Sequence, residues 1–250
     1  VREFNRLLKI TKGKRPTCSL DNPCSGGITF IKNEKYISKL NELKDVKNLM
    51  VLLPKGLKYK SDNSEITLFE VANTDLVFTL YQNRIYKKFD PSKFDLIHET
   101  ADIHPSAVIG VDGIKVVLDG EKKILFKHTG NVIIEKDVNI SANAVIHRAR
   151  LDSTIIGEGT IIGALTNIAH NVIIGKNCVL ATNVSIGGSA VVGDNCWIGM
   201  SAVIRNGVRI CDNVVIGMGS VVIKDVDSPG FYVGSPAKFL RKFEKGDRGF

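Results

Sequence analysis

The chain has 250 residues, 44% of them apolar, with a formal net charge of +8. Those figures suit a folded chain of more than one domain. The basic excess gathers at residues 2–15 and 238–248 without a recognition helix or aromatic-basic interleaving, which argues against nucleic acid and favours small anionic ligands or simple solvation of the termini. No leader pattern and no 18-residue apolar run is present, so the expectation is a cytoplasmic protein without membrane insertion.

In chain order, residues 19–36 are polar and turn-rich, and YISKLNELKDV from Tyr36 carries apolar residues at helical spacing. NLMVLLP predicts a buried strand ended by Pro54, and ITLFEVA predicts a second strand. NTDLVFTLYQNRIYKKF predicts a helix capped by Asn73 or Thr74. Strand and helix in alternation give a small α/β domain over residues 1–100, with a boundary near 98–103 because His104-Pro105 opens the first hexad.

From Ile156, steps of six land on Ile162, Ile168, Ile174, Leu180, Ile186, Val192, Ile198, Ile204, Ile210, Ile216 and Val222, all aliphatic. Gly, Asn or Ser stands three residues after most of them, with Leu165 the exception; Gly and Asn are the types that tolerate positive φ at a corner. This period predicts a parallel β-helix of 18-residue triangular coils over residues 101–225. Earlier hexads at Ile134, Ile140 and Ile146 add about one coil. The ten-residue step from Ile146 to Ile156 and the charged stretch 111–129 break the frame and predict loops that leave the prism. Of five cysteines, Cys178 and Cys196 lie 18 apart at the small position two before the aliphatic one, as reduced wall residues. Cys18 and Cys24 have no partners nearby to complete a zinc set, so no metal is expected.

GGITFIKNEKY, VDGI, TIIGEGTIIGALTNIAHNVIIG and NGVRICDNVVIGMGSVV are similar in order and spacing to UDP-3-O-acylglucosamine N-acyltransferases of lipid A synthesis. The resemblance implies a mostly β protein, a left-handed β-helix behind a small uridine-binding domain, assembled as a homotrimer with active sites between neighbours. Two departures stand out. Val208 occupies the place of a second histidine, and SPGFYVGSPAKFLRK resembles the coenzyme A-binding tail of sugar acetyltransferases, here residues 226–250. Together these imply an N-acyltransferase moving an acyl group from acyl-CoA, as co-substrate, to the amine of a dTDP- or UDP-linked amino sugar for surface polysaccharide or glycan synthesis. The alternative is the lipid A enzyme itself, using an acylated carrier protein.

His170 follows Ala169 at an outward corner, and Gly188, 18 residues on, is expected to leave space beside the imidazole. On period alone it is either a solvated corner histidine or a base; the IAHNV match implies the base. Asn167 faces outward where most hexads have Ile or Val, either to meet a substrate or to cap the sheet face. On pattern alone Phe30, Asn33 and Tyr36, at three-residue spacing, fit core packing better; the resemblance places them around the base of the nucleotide. Lys224, Lys238 and Arg241 read either as a solvated terminal run or as partners of coenzyme A phosphates; by the tail resemblance they, with Gly234, Pro236 and Gly188, would bind coenzyme A. His147 falls in a frame break and has no assigned role.

Overall fold

The computed structural model describes residues 2–86, 95–244 and Asp247. Two compact units form, one from Val1–Asp90 with Ile114–Thr129 and the other from Pro91–Gly113 with Gly130–Phe250.

The first unit holds a parallel sheet in the order β1 (Ile28–Phe30), β2 (Leu49–Pro54), β3 (Ile66–Val71). Central β2 is buried from Leu49 to Leu53, because a parallel strand covered on both faces needs an unbroken apolar run. After β3 the Asn73 side chain accepts from the Leu76 N–H (3.0 Å) and starts helix α3 (Thr74–Ile85). The last predicted residues of that helix, 87–89, lie outside the described ones.

Three features depart from expectation. The basic segment Arg2–Thr11 is a helix, α1, that buries Leu7 and packs on α3, so its charges are one face of an amphipathic helix. The helix expected from Tyr36 shrinks to a 3-10 turn, Glu34–Tyr36, and one short helix, Ile37–Asn41. Asn63 Nδ2 donates to the Leu43 and Val46 carbonyls (2.8 and 3.2 Å), pinning that segment as a turn. The third is β1, hidden in the polar stretch because three residues are too few to show alternation.

Of the stretch 111–129, Val111 still ends a wall strand, and residues 114–129 belong to the first unit, with an antiparallel hairpin of Val116–Asp119 and Lys122–Leu125. Gly120 and Glu121 make its turn, Gly120 at φ +61°. The chain leaving the hairpin is held by α3, where Gln82 Nε2 donates to Thr129 Oγ1 (2.5 Å) and Asn83 Nδ2 to the Leu125 carbonyl (2.8 Å).

The second unit is mostly β, a left-handed prism of three parallel walls, each six strands deep before the tail adds two to one of them. Wall 1 starts with Leu96–Ile97, wall 2 with Asp102–Ile103 and wall 3 with Val108–Val111, so the coils begin before the first predicted hexad. Every aliphatic of the six-step series from Ile156 to Val222 is buried, at roughly 1.5–3 kcal/mol each. The residues two before them, from Thr154 to Ser220, are buried too. Two of the polar ones donate to the corner above: Thr160 Oγ1 to the Gly175 carbonyl (2.8 Å) and Thr166 Oγ1 to that of Ala181 (3.0 Å).

Cys178 and Cys196 occupy the same post. Both are free thiols, Cys178 donating to the Gly193 carbonyl (3.0 Å). The Cys178 sulfur and burial push the Cys196 thiol up, which keeps it protonated. At the corners, Asp137, Asn143, Asn171, Asn177, Asn183, Ser189, Asn195, Ser201 and Asn213 all take positive φ, and so does Leu165, at +60°. No described helix is long and apolar enough to cross a membrane.

Candidate active site

Wall 3 aligns Val145 with Asn167 and Asn167 with Ser185, so their side chains form one outward row. At the end of the Asn167–Ile168 strand the chain turns through Ala169 and His170 toward wall 1. The Asn171 that follows has φ +60°, which tucks its side chain back beside the imidazole.

Two contacts define the protons there. The Arg150 backbone N–H donates to Asn171 Oδ1 (2.9 Å), identifying that atom as the amide oxygen. His170 Nδ1 lies 3.2 Å from the same oxygen, which can only accept, so Nδ1 carries the hydrogen. Nε2 is then the nitrogen with the lone pair, the arrangement a general base requires. Neither Arg150 nor Asn171 was singled out from the sequence. Arg150 sits in the ten-residue frame break, where no period gives a register, and Asn171 reads only as one more corner residue.

The expected space above His170 is not there. A Cβ built on Gly188 would stand 2.8 Å from Cε1 and Nε2, so the imidazole itself lies over this glycine. Gly188 therefore makes room for the ring, not for a ligand beside it.

The second unexpected group is His147. Val145 pairs with Asn167, and a bulge between Ile146 and His147 shifts the register against Val108–Val111. His147 Nε2 lies 3.0 Å from Asn167 Oδ1, and Nδ1 lies 3.1 Å from the Asp112 carbonyl. Val208, in place of the family's second histidine, is buried in the core.

In the first unit Phe30 packs on Phe78 with ring centroids 4.7 Å apart, while Lys32 lies over Phe30 at 5.9 Å and pairs with Asp75 (2.6 Å). Asn33 caps the 3-10 turn, its Oδ1 accepting from the Lys35 N–H (3.1 Å). Tyr36 is 39% exposed and, among the described residues, makes no ring contact with Phe30. The two rings thus differ: Phe30 has one face in the core and Tyr36 stands in solvent.

The tail continues wall 2. Gly230–Val233 pairs in parallel with Val214–Ile216, and Lys238–Arg241 returns antiparallel to it. Gly234 turns between them at φ +98°, followed by a cis Ser235–Pro236 bond. Lys224 and Lys238 are exposed. Arg241 is not an open cation: it makes two bonds to Asp247 (2.5 and 2.9 Å) and lies over Phe231 at 4.0 Å.

That bonding holds the Asp247 carboxyl at about 2, down from 3.8, with the Glu244 N–H helping. A carboxyl whose pKa falls on folding contributes fully above its unfolded value and loses that contribution as pH drops through the folded one. Carbon-13 NMR of the Asp247 carboxyl should therefore give a midpoint near pH 2, moving back toward 3.8 in Arg241→Gln. Equal midpoints in the two proteins would refute the pairing.

Residues 153–188 and 189–224 each match the bacterial transferase hexapeptide (six repeats). The prism is a hexapeptide-repeat left-handed β-helix. The chain resembles UDP-3-O-acylglucosamine N-acyltransferase 2 of Nitrobacter winogradskyi, 38% identical over 79 residues, 32% of this chain and 23% of that one. The Porphyromonas gingivalis UDP-3-O-acylglucosamine N-acyltransferase is 49% identical over 69 residues, 28% of this chain and 20% of that one. These matches thus span about a fifth of the relatives' length. Among solved structures, UDP-N-acetylglucosamine O-acyltransferase of Moraxella catarrhalis aligns at TM-score 0.51 and 27% identity, covering 59% of this chain and 56% of that one. Among the described residues no group of three or more His, Cys, Asp or Glu side chains is arranged to hold a metal ion.

Proposed function

We propose that the protein is an N-acyltransferase that moves an acyl group from acyl-CoA to the amine of a dTDP- or UDP-linked amino sugar, for surface polysaccharide or glycan synthesis. The observation that carries this reading is the proton arrangement at His170, with Nδ1–H committed to Asn171 Oδ1 and the lone pair left on Nε2. The sugar amine attacks the thioester carbonyl carbon while Nε2 takes a proton from the amine nitrogen. The tetrahedral adduct then collapses: its C–S bond breaks, the amide forms, and the thiolate leaves with the proton that His170 returns. Tyr36 and the open side of Phe30 receive the nucleotide base, and Lys224 and Lys238 meet the phosphates of coenzyme A. The first unit serves as the nucleotide-binding part, the prism as the catalytic part and residues 226–250 as the coenzyme A-binding tail. A homotrimer is part of the same reading, supported by the apolar outward stripe of wall 1, where Ile173 is 40% exposed.

A second reading is favoured by the identity to the two curated N-acyltransferases: transfer from an acylated carrier protein to UDP-3-O-acylglucosamine. Calorimetry with UDP and dTDP, followed by turnover with one acyl group carried on coenzyme A or on carrier protein, decides between them. Turnover with coenzyme A alone supports the first reading, turnover with carrier protein alone supports the second, and neither nucleotide binding would overturn both.

The unequal rings make a sharper expectation. Tyr36→Ala should weaken nucleotide binding several-fold at an unchanged melting temperature, since stacking is worth roughly 0.5–1.5 kcal/mol. Phe30→Ala should weaken binding and lower the melting temperature, because it also strips Phe78 of a neighbour. Unchanged nucleotide affinity in Tyr36→Ala would remove it from the site.

A further inference from the structure

His147 has a donor-acceptor pattern that is decided by its partners. Its Nδ1 faces the Asp112 carbonyl (3.1 Å), an atom that only accepts, so Nδ1 carries hydrogen. Asp112 turns its carboxylate to Arg148 Nε (3.5 Å) and offers His147 the carbonyl alone. Arg148, next in the chain, is the charged neighbour, and its guanidinium also faces Asp95 and the Gly130 carbonyl. A neutral ring protonated at Nδ1 has a lone pair at Nε2, and the group 3.0 Å from it is the Asn167 amide.

The two ends of an amide exchange by a half-turn, and the partner's protons choose between them. A lone pair on Nε2 demands the NH2 end. We infer that His147 is a positioning residue: it draws the Asn167 NH2 inward and turns the carbonyl oxygen outward as a hydrogen-bond acceptor. Asn167 lies three residues before His170 on the same outward edge, within about 10 Å along the chain. The amide's outer end has no protein partner among the described residues. That acceptor meets a hydrogen-bond donor of the sugar, its amine N–H or a hydroxyl, and keeps the nucleophile aimed while Nε2 of His170 removes the proton.

The chemistry rests on the acyl-transfer reading, whereas the tautomer does not, so two measurements keep them apart. Nitrogen-15 NMR of the full chain at neutral pH, assigned by loss of signal in His147→Gln, should show His147 protonated at Nδ1 with an unprotonated Nε2. In turnover, His147→Ala should lower kcat about fivefold to tenfold, the worth of one oriented hydrogen bond, with KM for the acyl donor unchanged. His147→Gln, which can still donate to Asp112 and accept from Asn167, should stay within about threefold of wild type. Asn167→Asp, with no NH2 to give, should fall with the alanine variant. A ring protonated at Nε2 would overturn the inference even if no turnover were found. So would an alanine variant within about twofold of wild type, or a glutamine variant as slow as alanine.

Discussion

His170→Ala should lower kcat by about 10² to 10⁴ while leaving the melting temperature close to that of wild type. The side chain stands at a corner and over Gly188, outside the ladder of buried aliphatics, so its removal opens no core cavity. His170→Asn separates proton acceptance from hydrogen bonding. An amide can still bond to Asn171 and to a substrate but takes up no proton at neutral pH, so this variant should also stay slow. The profile of kcat/KM in wild type should show an acidic limb where the imidazole gains its proton, and the asparagine variant should lack it. In a rival mechanism the amine arrives neutral, the leaving thiolate takes the proton, and His170 only orients the sugar. An asparagine variant within about tenfold of wild type and with the same pH limb would establish that rival. Gly188→Ala supplies an independent check, because the added Cβ must displace the imidazole edge it would meet at 2.8 Å. It should slow turnover with the fold intact.

The prism was legible because its period is its geometry: a strand and a corner take six residues, so Ile162, Ile168 and Ile174 declare three walls. His170 was legible for the same reason, as a titratable side chain at a corner otherwise filled by residues such as Gly188. What sets its protons was not. Arg150, His147 and Asp112 lie in or beside the breaks in the hexad, where residue number no longer predicts position, and the contacts form only once those segments fold back. Gly188 shows the limit of reading a small residue as empty space, since a neighbouring side chain had already taken it. In the first unit β2 was visible as an apolar run, whereas α1 was masked by its own charges and the sheet's third member by its three-residue length.

The largest expected stability change lies in the same broken frame. Arg148 is held with its side chain 5% exposed, its guanidinium 3.9 Å from Asp95, 3.5 Å from Asp112 and 3.3 Å from the Gly130 carbonyl. The Asp95 side chain is 9% exposed and accepts from the Val132 N–H (2.9 Å), which ties the first coil to the second. Gly110 closes the other side, where a Cβ would stand 2.5 Å from Asp95 Oδ2 and 2.8 Å from Arg148 Nη2. A buried pair of this kind returns little net energy while intact, because both ions have lost their water. Removing one partner is another matter, since the carboxylate stays buried without its counter-charge. Arg148→Met keeps the length and apolar stem of the side chain and should cost about 3–5 kcal/mol. Trp197 is the single tryptophan and lies in wall 2, so its fluorescence during urea unfolding reports the prism alone. The midpoint should fall sharply in Arg148→Met and recover in large part when Asp95→Asn is added, because the amide keeps an acceptor for Val132 and carries no charge. If the single variant unfolded at the wild-type midpoint, the ion cluster would be a bystander; a double variant no better than the single one would show that lost packing at Arg148, not stranded charge, sets the cost.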